Sequence, residues 1–480
     1  MMRSLYAGVS GLQNHQVRMD VVGNNISNVN TIGFKKGRVN FQDMLSQSLS
    51  GAAKPTDTKG GVNPKQVGLG MMVATIDTVF SQGSAQTTGN KLDLAIQGDG
   101  FFVLKEGDKS FYTRAGAFGL DKDGLLVNPG TGLKIQGWMS QEMNGQSILR
   151  TSEEPTDVLI PMYSKDPAKA TRNVDLKCNL YSEMPVVPNF DELPQDEQLK
   201  NSWTSSINVF DNYGTPLEAR FTFVKTDVNQ WEVRSEMYRF DPQNPNTKIR
   251  LEDGQYNLDV NPTEGAGTAG VDGQSRFTMN FDNLGRIRTV TDQAGDVSAQ
   301  GPLYLTMSMN IPSADPNLPN QRMSFNINMG EAGNVRTDEG VGVTQFSSDF
   351  TTKPFRQDGY AMGYLEDIKV DDTGSITGVF SNGNNRVLAQ VAMATFTNPG
   401  GLEKVGQTNF VYSNNSGLPD ISPAGTIGKG KIVAGALEMS NVDLSEQFVD
   451  MIVTQRGFQA NSKTIQTADQ LLQELLTLKR

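Results

Sequence analysis

One cysteine, Cys178, and one histidine, His15, are all that this 480-residue chain offers of the side chains most used for nucleophilic and metal chemistry. A single histidine on the polar side of an amphipathic segment supports neither a Ser-His-Asp nor a Cys-His constellation, and no multi-histidine metal site. A single cysteine cannot form a disulfide within the chain, and its ordinary fate is that of a small buried apolar residue. Two carboxylates would suffice for a glycosidase, yet none of the acidic pairs sits in a recognisable motif. Asp121, Asp123 and Gly124, and again Asp371, Asp372 and Gly374, invite a calcium-loop reading. They lack the twelve-residue frame and its terminal Glu, so both are read as hairpin turns. Trp203, Trp231 and Tyr213 could serve a binding face on a secreted β-rich adhesin, although Trp231 is most simply a core anchor. No catalytic residue, metal ligand or cofactor is assigned.

With so little for chemistry, the information lies in the elements. The net charge of −11 and pI near 4.9 argue against nucleic acid or an anionic membrane surface as the main partner. No apolar run is long enough to span a bilayer, and the amphipathic N-terminus has no apolar h-region, so no cleavable secretory signal and no membrane insertion are expected. Abundant Gly, Asn, Thr and Asp point to many turns and strands.

Leu444, Phe448, Met451, Phe458, Ile465, Leu472 and Leu476 step along the C-terminal forty residues by fours and threes, with Gln455, Ser462 and Asp469 filling the intermediate positions. That is the period-seven seam of a helix that packs along other helices. Ser440, Asn441 and Asp443 supply N-cap residues before it. At about 1.5 Å per residue, such a helix runs on the order of 50 to 60 Å, too long to bury its seam in one compact domain. At the other end of the chain Leu5, Val9, Leu12, Met19 and Ile26 follow the same alternation. The two termini can therefore zip together. Gly8, Gly11 and Gly23 each cost a helix about 1 kcal/mol relative to Ala, so the N-terminal segment is expected to fold only on docking.

Between the termini the fold is read as mainly β, with nested discontinuous β-domains. Residues 1–30 and 441–480 form the coiled-coil layer, and 31–68 and 415–440 are extended connectors. Residues 69–151 and 350–414 form one β-domain, with short strands separated by Gly98-Asp99-Gly100, Pro129-Gly130 and Asn382-Gly383 turns. Residues 152–349 are a more polar, Pro-rich inserted β-domain with a low-complexity stretch at Glu264 to Gly270.

SLYAGVSGLQNHQVRMDVVGNNISNVNTIGFKK resembles the N-terminal motif of the bacterial flagellar rod and hook axial proteins, and SNVDLSEQFVDMIVTQRGFQANSKTIQTADQLLQELL their C-terminal motif. LDLAIQGDGFFVL and YTRAGAFGLDKDGLLVN match the rod and hook subset. VFDNYGTPLEARFTFVK and VFSNGNNRVLAQVAMATFTNPGGLEKVGQTNFVYSNNSG are similar to hook proteins. The resemblance implies a structural subunit, not an enzyme, of a hollow flexible tube that transmits motor torque, its inner layer formed by the two terminal helices. It implies a homopolymer whose other partners are the distal rod protein, the hook cap, the hook–filament junction protein and the flagellar type III export apparatus. A distal rod subunit is the alternative, since rod proteins resemble the hook at both ends but are expected to be much shorter, lacking the insertion.

Most hook proteins lack cysteine, and Cys178 is where this sequence departs from that pattern. Spirochaete hook proteins cross-link through a cysteine that loses sulfur to give dehydroalanine, which a lysine amine attacks to give lysinoalanine. The resemblance therefore makes Cys178 a cross-link candidate. Among the nearby lysines, Lys165 in a turn-like Ser164-Lys165-Asp166-Pro167 is the favoured partner and Lys169 the alternative. Lys177 would point to the opposite face of the Cys178 strand. The cysteine also hints at a spirochaete, and so at a periplasmic rather than an external hook.

Overall fold

The computed structural model describes residues 2–478, except 53, 56, 58, 144–145, 163–164, 241–246, 252–254, 261–274, 293–296, 299–301, 312–320, 332–341 and 353–355. The chain is mostly β, with a long helix at each end, Met2–Ser27 and Leu444–Leu478. It divides into two compact units: residues 1–163, 366–379 and 385–480 form the first, and 164–365 with 380–384 the second. The low-complexity stretch expected at Glu264 to Gly270 lies outside the described residues.

The body of the first unit is a sheet assembled from both sides of the insertion. Strand Lys134–Met143, which precedes the second unit in sequence, pairs antiparallel with Asn385–Thr395, which follows it, placing Trp138 opposite Gln390. The sheet continues through Phe101–Glu106, Lys109–Thr113, Asn409–Val411 and Glu403–Gly406. Phe101, Val103, Tyr112, Trp138, Ala392, Phe396 and Phe410 are buried together on it. Leu94, Ala95 and Ile96 are all buried, although the alternation of LDLAIQ predicts one exposed face. Their strand, Leu94–Gln97, is paired by Lys431–Ala434 and both its faces are covered.

The stretches expected to be extended connectors carry strands. Gly37–Asp43 pairs with Met71–Thr78, and Ser46–Ser50 with Lys65–Gly68. Asp420–Pro423, Lys431–Ala434 and Ala436–Glu438 likewise each join a partner strand. Polar, glycine-rich composition reads as linker, but a two-stranded ribbon needs only alternate backbone hydrogen bonds, which such sequences supply.

In the second unit an antiparallel sheet runs through Trp203–Phe210, Pro216–Asp227, Gln230–Phe240, Arg276–Phe281 and Ile287–Asp292. Every second residue of Gln230–Phe240 is buried from Trp231 to Met237, as the alternation of its sequence requires. A second sheet contains Pro302–Ile311 and Gln321–Glu331, and a third joins Lys177–Tyr181 to Gly342–Phe346 in parallel. One core draws on all three, with Trp231, Phe221, Phe223 and Phe325 fully enclosed.

Among the described residues four Asp-x-x-Gly turns punctuate the two units. At Asp211, Asp282 and Asp371 the carboxylate Oδ1 accepts two backbone N–H groups, from Tyr213 and Thr215, Leu284 and Arg286, and Thr373 and Ser375, and at Asp121 it accepts the Lys122 N–H. The glycine that follows each takes a left-handed φ of 73 to 82°. The aspartates shape the turn by holding backbone.

Candidate functional site: the terminal helix pair and its anchor

The two terminal helices lie antiparallel, and glycine decides how. A Cβ at Gly8 would come within 2.9 Å of Ile465, one at Gly11 within 2.6 Å of the Asn461 amide, and one at Gly457 within 2.7 Å of His15 Nε2. Glycine on both helices leaves room for the facing helix's Ile465, Asn461 and His15 side chains, which offsets its poor helix propensity. Farther along, Arg18 donates to Asp450 Oδ1 at 2.8 Å, and Asn25 Nδ2 donates to Gln447 Oε1 at 2.9 Å. Asn25 also donates to the Gly37 carbonyl and accepts the Gly37 N–H, fixing the chain's exit from the helix. Asp443 caps the C-terminal helix by accepting the Ser445 and Glu446 N–H groups.

The contact between the helices therefore runs one track over from the residues picked out by apolar spacing. Gly8, Gly11, Val22 and Asn25 are buried on one helix, and Gln447, Thr454 and Ala468 on the other. Leu5, Leu12, Met19 and Ile26 are half-buried at its edge, as are Met451, Phe458, Ile465 and Leu472. Val9, Leu444, Phe448 and Leu476 are exposed, with Phe448 at 51% and Leu476 at 70%. Val449, Ile452 and Val453 join Phe448 in an exposed apolar stretch. Small and polar residues, joined by Ile465 against Gly8, take the close contact inside the chain, and most of the larger apolar residues remain at its rim and beyond.

A buried ion cluster fastens the helix pair to the β-body of the same unit. Glu438, 1% exposed, accepts Lys35 Nζ at 2.7 Å, Arg114 Nη1 at 3.3 Å and the Gly83 N–H at 2.9 Å. Lys35 Nζ also donates to the Ser81 carbonyl, and Gly33 N–H to the Glu438 carbonyl. Burial pulls the pKa values of Lys35 and Arg114 down, and the Glu438 carboxylate opposes that pull. One residue thus holds the strand leading into the C-terminal helix, the segment leaving the N-terminal helix and the sheet. Asn441 adds a neutral clasp, accepting the Lys36 N–H and donating to the Val79 carbonyl. Sequence reasoning missed this anchor. Its one visible trace is Glu438, a charge directly after Ala436-Leu437 where a buried strand continues.

The cross-link candidates lie in the second unit. Cys178 is buried at 4% exposure on Lys177–Tyr181, opposite Val343 on one side and Thr352 on the other, and burial pushes its thiol up to about 12. Lys165 is exposed on a short strand opposite Tyr364, its ammonium over that ring. Lys169 faces Asp358 at 4.0 Å. Among the described residues no contact joins either lysine to Cys178.

Over its full length this chain is 48% identical to the flagellar hook protein FlgE of Treponema pallidum, covering all of both chains. The chain belongs to the flagellar hook protein family. It is 47% identical to the hook protein of the spirochaete Borreliella burgdorferi over the whole of both, and 32% identical to that of Escherichia coli over 98% of each. Four family models match: flagella basal body rod protein at 5–35, flagellar hook protein FlgE/F/G D1 domain at 95–171, flagellar basal body protein FlaE D2 domain at 179–360, and flagellar basal body rod FlgEFG protein C-terminal at 433–478. The fold is shared with a crystal structure of Helicobacter pylori flagellar hook protein FlgE2, at a TM-score of 0.50 and 15% identity over 74% of this chain and all of that one. Bacillus subtilis flagellar basal-body rod protein FlgG also matches over the full length of both chains at 29% identity, so length alone does not separate hook from rod.

Proposed function

We propose that this chain is a structural subunit of the bacterial flagellar hook, polymerising into a hollow, flexible tube that carries torque from motor to filament. The observation that carries the reading is the terminal helix pair. Its internal contact is small and polar, while Phe448, Val449, Ile452 and Val453 face outward. Such a stripe loses roughly 25 cal/mol for every Å² left in water, so burial against neighbouring copies drives assembly. Contacts between different patches on identical subunits generate an open helical polymer. Distal rod, hook cap, junction protein and type III export apparatus are the partners this role requires, and the flagellum is its place. A periplasmic position follows if the source is a spirochaete. Electron microscopy of purified full-length protein beside a chain lacking residues 1–30 and 441–480 tests it. Curved tubes from the first alone support the reading, and monomers from both, even when seeded with hook fragments, refute it. The second reading, a rod subunit, draws on the full-length match to a rod protein and requires straight, stiff tubes in the same experiment.

Within the polymer, Cys178 of one copy and Lys165 of another, with Lys169 as the alternative, form a lysinoalanine cross-link. A base removes the Cys178 α-proton and the Cβ–S bond breaks, releasing hydrogen sulfide and leaving dehydroalanine. The lysine nitrogen then bonds to Cβ, and a proton returns to Cα. The balance needs no oxidant. Lys165 has the exposure this needs. Cys178 is enclosed in its own subunit, so the step belongs to the assembled state, where neighbours can move the segment covering it. Boiling assembled tubes in denaturant tests this: a ladder that collapses in Cys178→Ala supports it, and free monomer from the unaltered chain rules it out.

A further inference from the structure

Lys165 stands on a strand of only two residues, Lys165–Asp166, paired antiparallel so that Lys165 lies opposite Tyr364 and Asp166 opposite Gly363. Successive side chains of a strand point to opposite faces, and here Lys165 is exposed while Asp166 is only 2% exposed. So short a ladder is a weak hold by itself, and the inward carboxylate supplies the rest. Asp166 Oδ2 accepts the side-chain amides of Asn382 at 3.2 Å and Asn384 at 3.3 Å. These two residues belong to a turn of the same compact unit, closed by Gly383 N–H donating to the Phe380 carbonyl and Asn384 N–H to Asn382 Oδ1. The turn also grips the facing strand: Asn382 Nδ2 donates to the Ala361 carbonyl at 2.9 Å, Ser381 N–H to the Tyr364 carbonyl, and Tyr364 N–H to Ser381 Oγ. A Cβ at Gly363 would lie 2.7 Å from the Asn382 side chain, so glycine opposite Asp166 leaves the amide its place.

Lys165 is thus carried on a fixed platform. Its ammonium lies over the Tyr364 ring at 5.8 Å and, among the described residues, meets no carboxylate within 4.0 Å. Lys169 is held separately. Its N–H donates to the Tyr360 carbonyl, its carbonyl accepts the Tyr360 N–H, and its ammonium faces Asp358 at 4.0 Å. That ion pair is about a third exposed on both sides and restrains its lysine only weakly, so it does not by itself choose between the two amines. Releasing Asp166 would free the backbone of Lys165 and leave that of Lys169 bridged to Tyr360.

We propose that Asp166 is a positioning residue for the cross-link: by clasping Asn382 and Asn384 it holds Lys165, rather than Lys169, where Cys178 of a neighbouring copy arrives. The inference rests on the cross-link reading above and names what selects the amine. Asp166 takes no part in the bond changes, in which hydrogen sulfide leaves Cys178, the lysine nitrogen joins Cβ and a proton passes to Cα. Addition between two restrained groups draws its rate from placement, and a misplacement of about 1 Å costs roughly 10²-fold. Loosening the clasp therefore slows the addition, while the loss of sulfur, on strand Lys177–Tyr181, proceeds as before.

The test uses assembled tubes of the full-length chain, with hydrogen sulfide release assayed in solution and dehydroalanine and cross-linked peptides mapped by tandem mass spectrometry. Unaltered tubes are expected to link through Lys165. Asp166→Ala should release hydrogen sulfide within about twofold of the parent, accumulate dehydroalanine at Cys178, link at least about tenfold more slowly and shift the linked lysine toward Lys169. Asp166→Asn, which keeps an acceptor in the same shape, should link within about threefold of the parent. Asn384→Ala, a milder change at a half-buried turn residue, should move the same quantities in the same direction, and it decides the matter if Asp166→Ala does not assemble. Unaltered tubes linked chiefly through Lys169, clasp variants linking at the parent rate, or both steps slowing together overturn the positioning role and leave the cross-link reading standing. Unaltered chain that yields no lysinoalanine overturns both.

Discussion

Replacing Glu438 with glutamine tests how the helix pair is held. The amide keeps the shape and an acceptor for the Gly83 N–H, but Lys35 at 2.7 Å and Arg114 at 3.3 Å lose their carboxylate while remaining buried. Removing one partner of a buried pair costs about 3–5 kcal/mol, chiefly because the remaining charge is stranded. The lower part of that range is expected, since Lys35 keeps the Ser81 carbonyl. The assay is native-state hydrogen exchange at Gly33, Gly83 and Met439, whose N–H groups bond to Glu438 O, Glu438 Oε1 and Ser84 O. At about 1.4 kcal/mol per decade, exchange there should quicken by roughly two to three orders of magnitude. The pH dependence has a definite sign. Burial holds the folded Lys35 below its unfolded value of 10.5, so between the two the unfolded chain binds more protons and stability rises with pH. Glu438→Gln lowers the folded value further, widening that window, so the variant's deficit shrinks in alkali. Replacing all three partners, Glu438→Met with Lys35→Met and Arg114→Met, should restore most of the protection, as buried ion clusters often yield to apolar replacements. Exchange within about threefold of the parent in Glu438→Gln would refute the idea that this cluster fastens the helices.

Three further outcomes follow from the same geometry. Gly11→Leu should abolish tube formation, because even a Cβ there meets Asn461 at 2.6 Å, whereas Gly23→Ala, with nothing within 4 Å, should raise helix stability by about 1 kcal/mol in thermal melts. His15 carries a pKa lowered from 6.5 by burial and then by Arg18, with Phe41 and Gly457 packed against its ring. The unfolded chain takes up the proton first, so contact between the helices should weaken as pH falls through 6.5 toward the lowered folded value, and His15→Gln should flatten that dependence in a circular-dichroism titration. Cys178, its thiol raised to about 12 by burial, should resist iodoacetamide in the folded monomer at pH 8 and react at once in urea; equal rates in both would show that the site is open. The same shift makes its share of stability complete below 9.0 and lost as pH rises from there toward 12.

The sequence alone determined that the two ends of the chain are helices with a seven-residue period and that strands lie between. Periodicity is local and survives without knowledge of the fold. The turns at Asp121 and Asp371 were equally legible, because an aspartate followed three residues later by glycine closes its own hydrogen bonds. Local pattern could not say which of two adjacent tracks on each helix faces inward. Leu444, Phe448 and Leu476 obey the repeat as well as Met451 and Ile465 do, and only the partner helix separates them, by bringing glycine against Asn461 and His15. Gly8 and Gly11 read as costs in one dimension, and in three they make room for Ile465 and Asn461 of the other helix. Glu438, Lys35 and Arg114 are hundreds of residues apart in part, and each alone is an ordinary charge. Their meeting depends on the strand before the last helix, the exit of the first helix and the sheet converging at one buried point, because a charge is stable there only when its counter-charges arrive from distant parts of the chain.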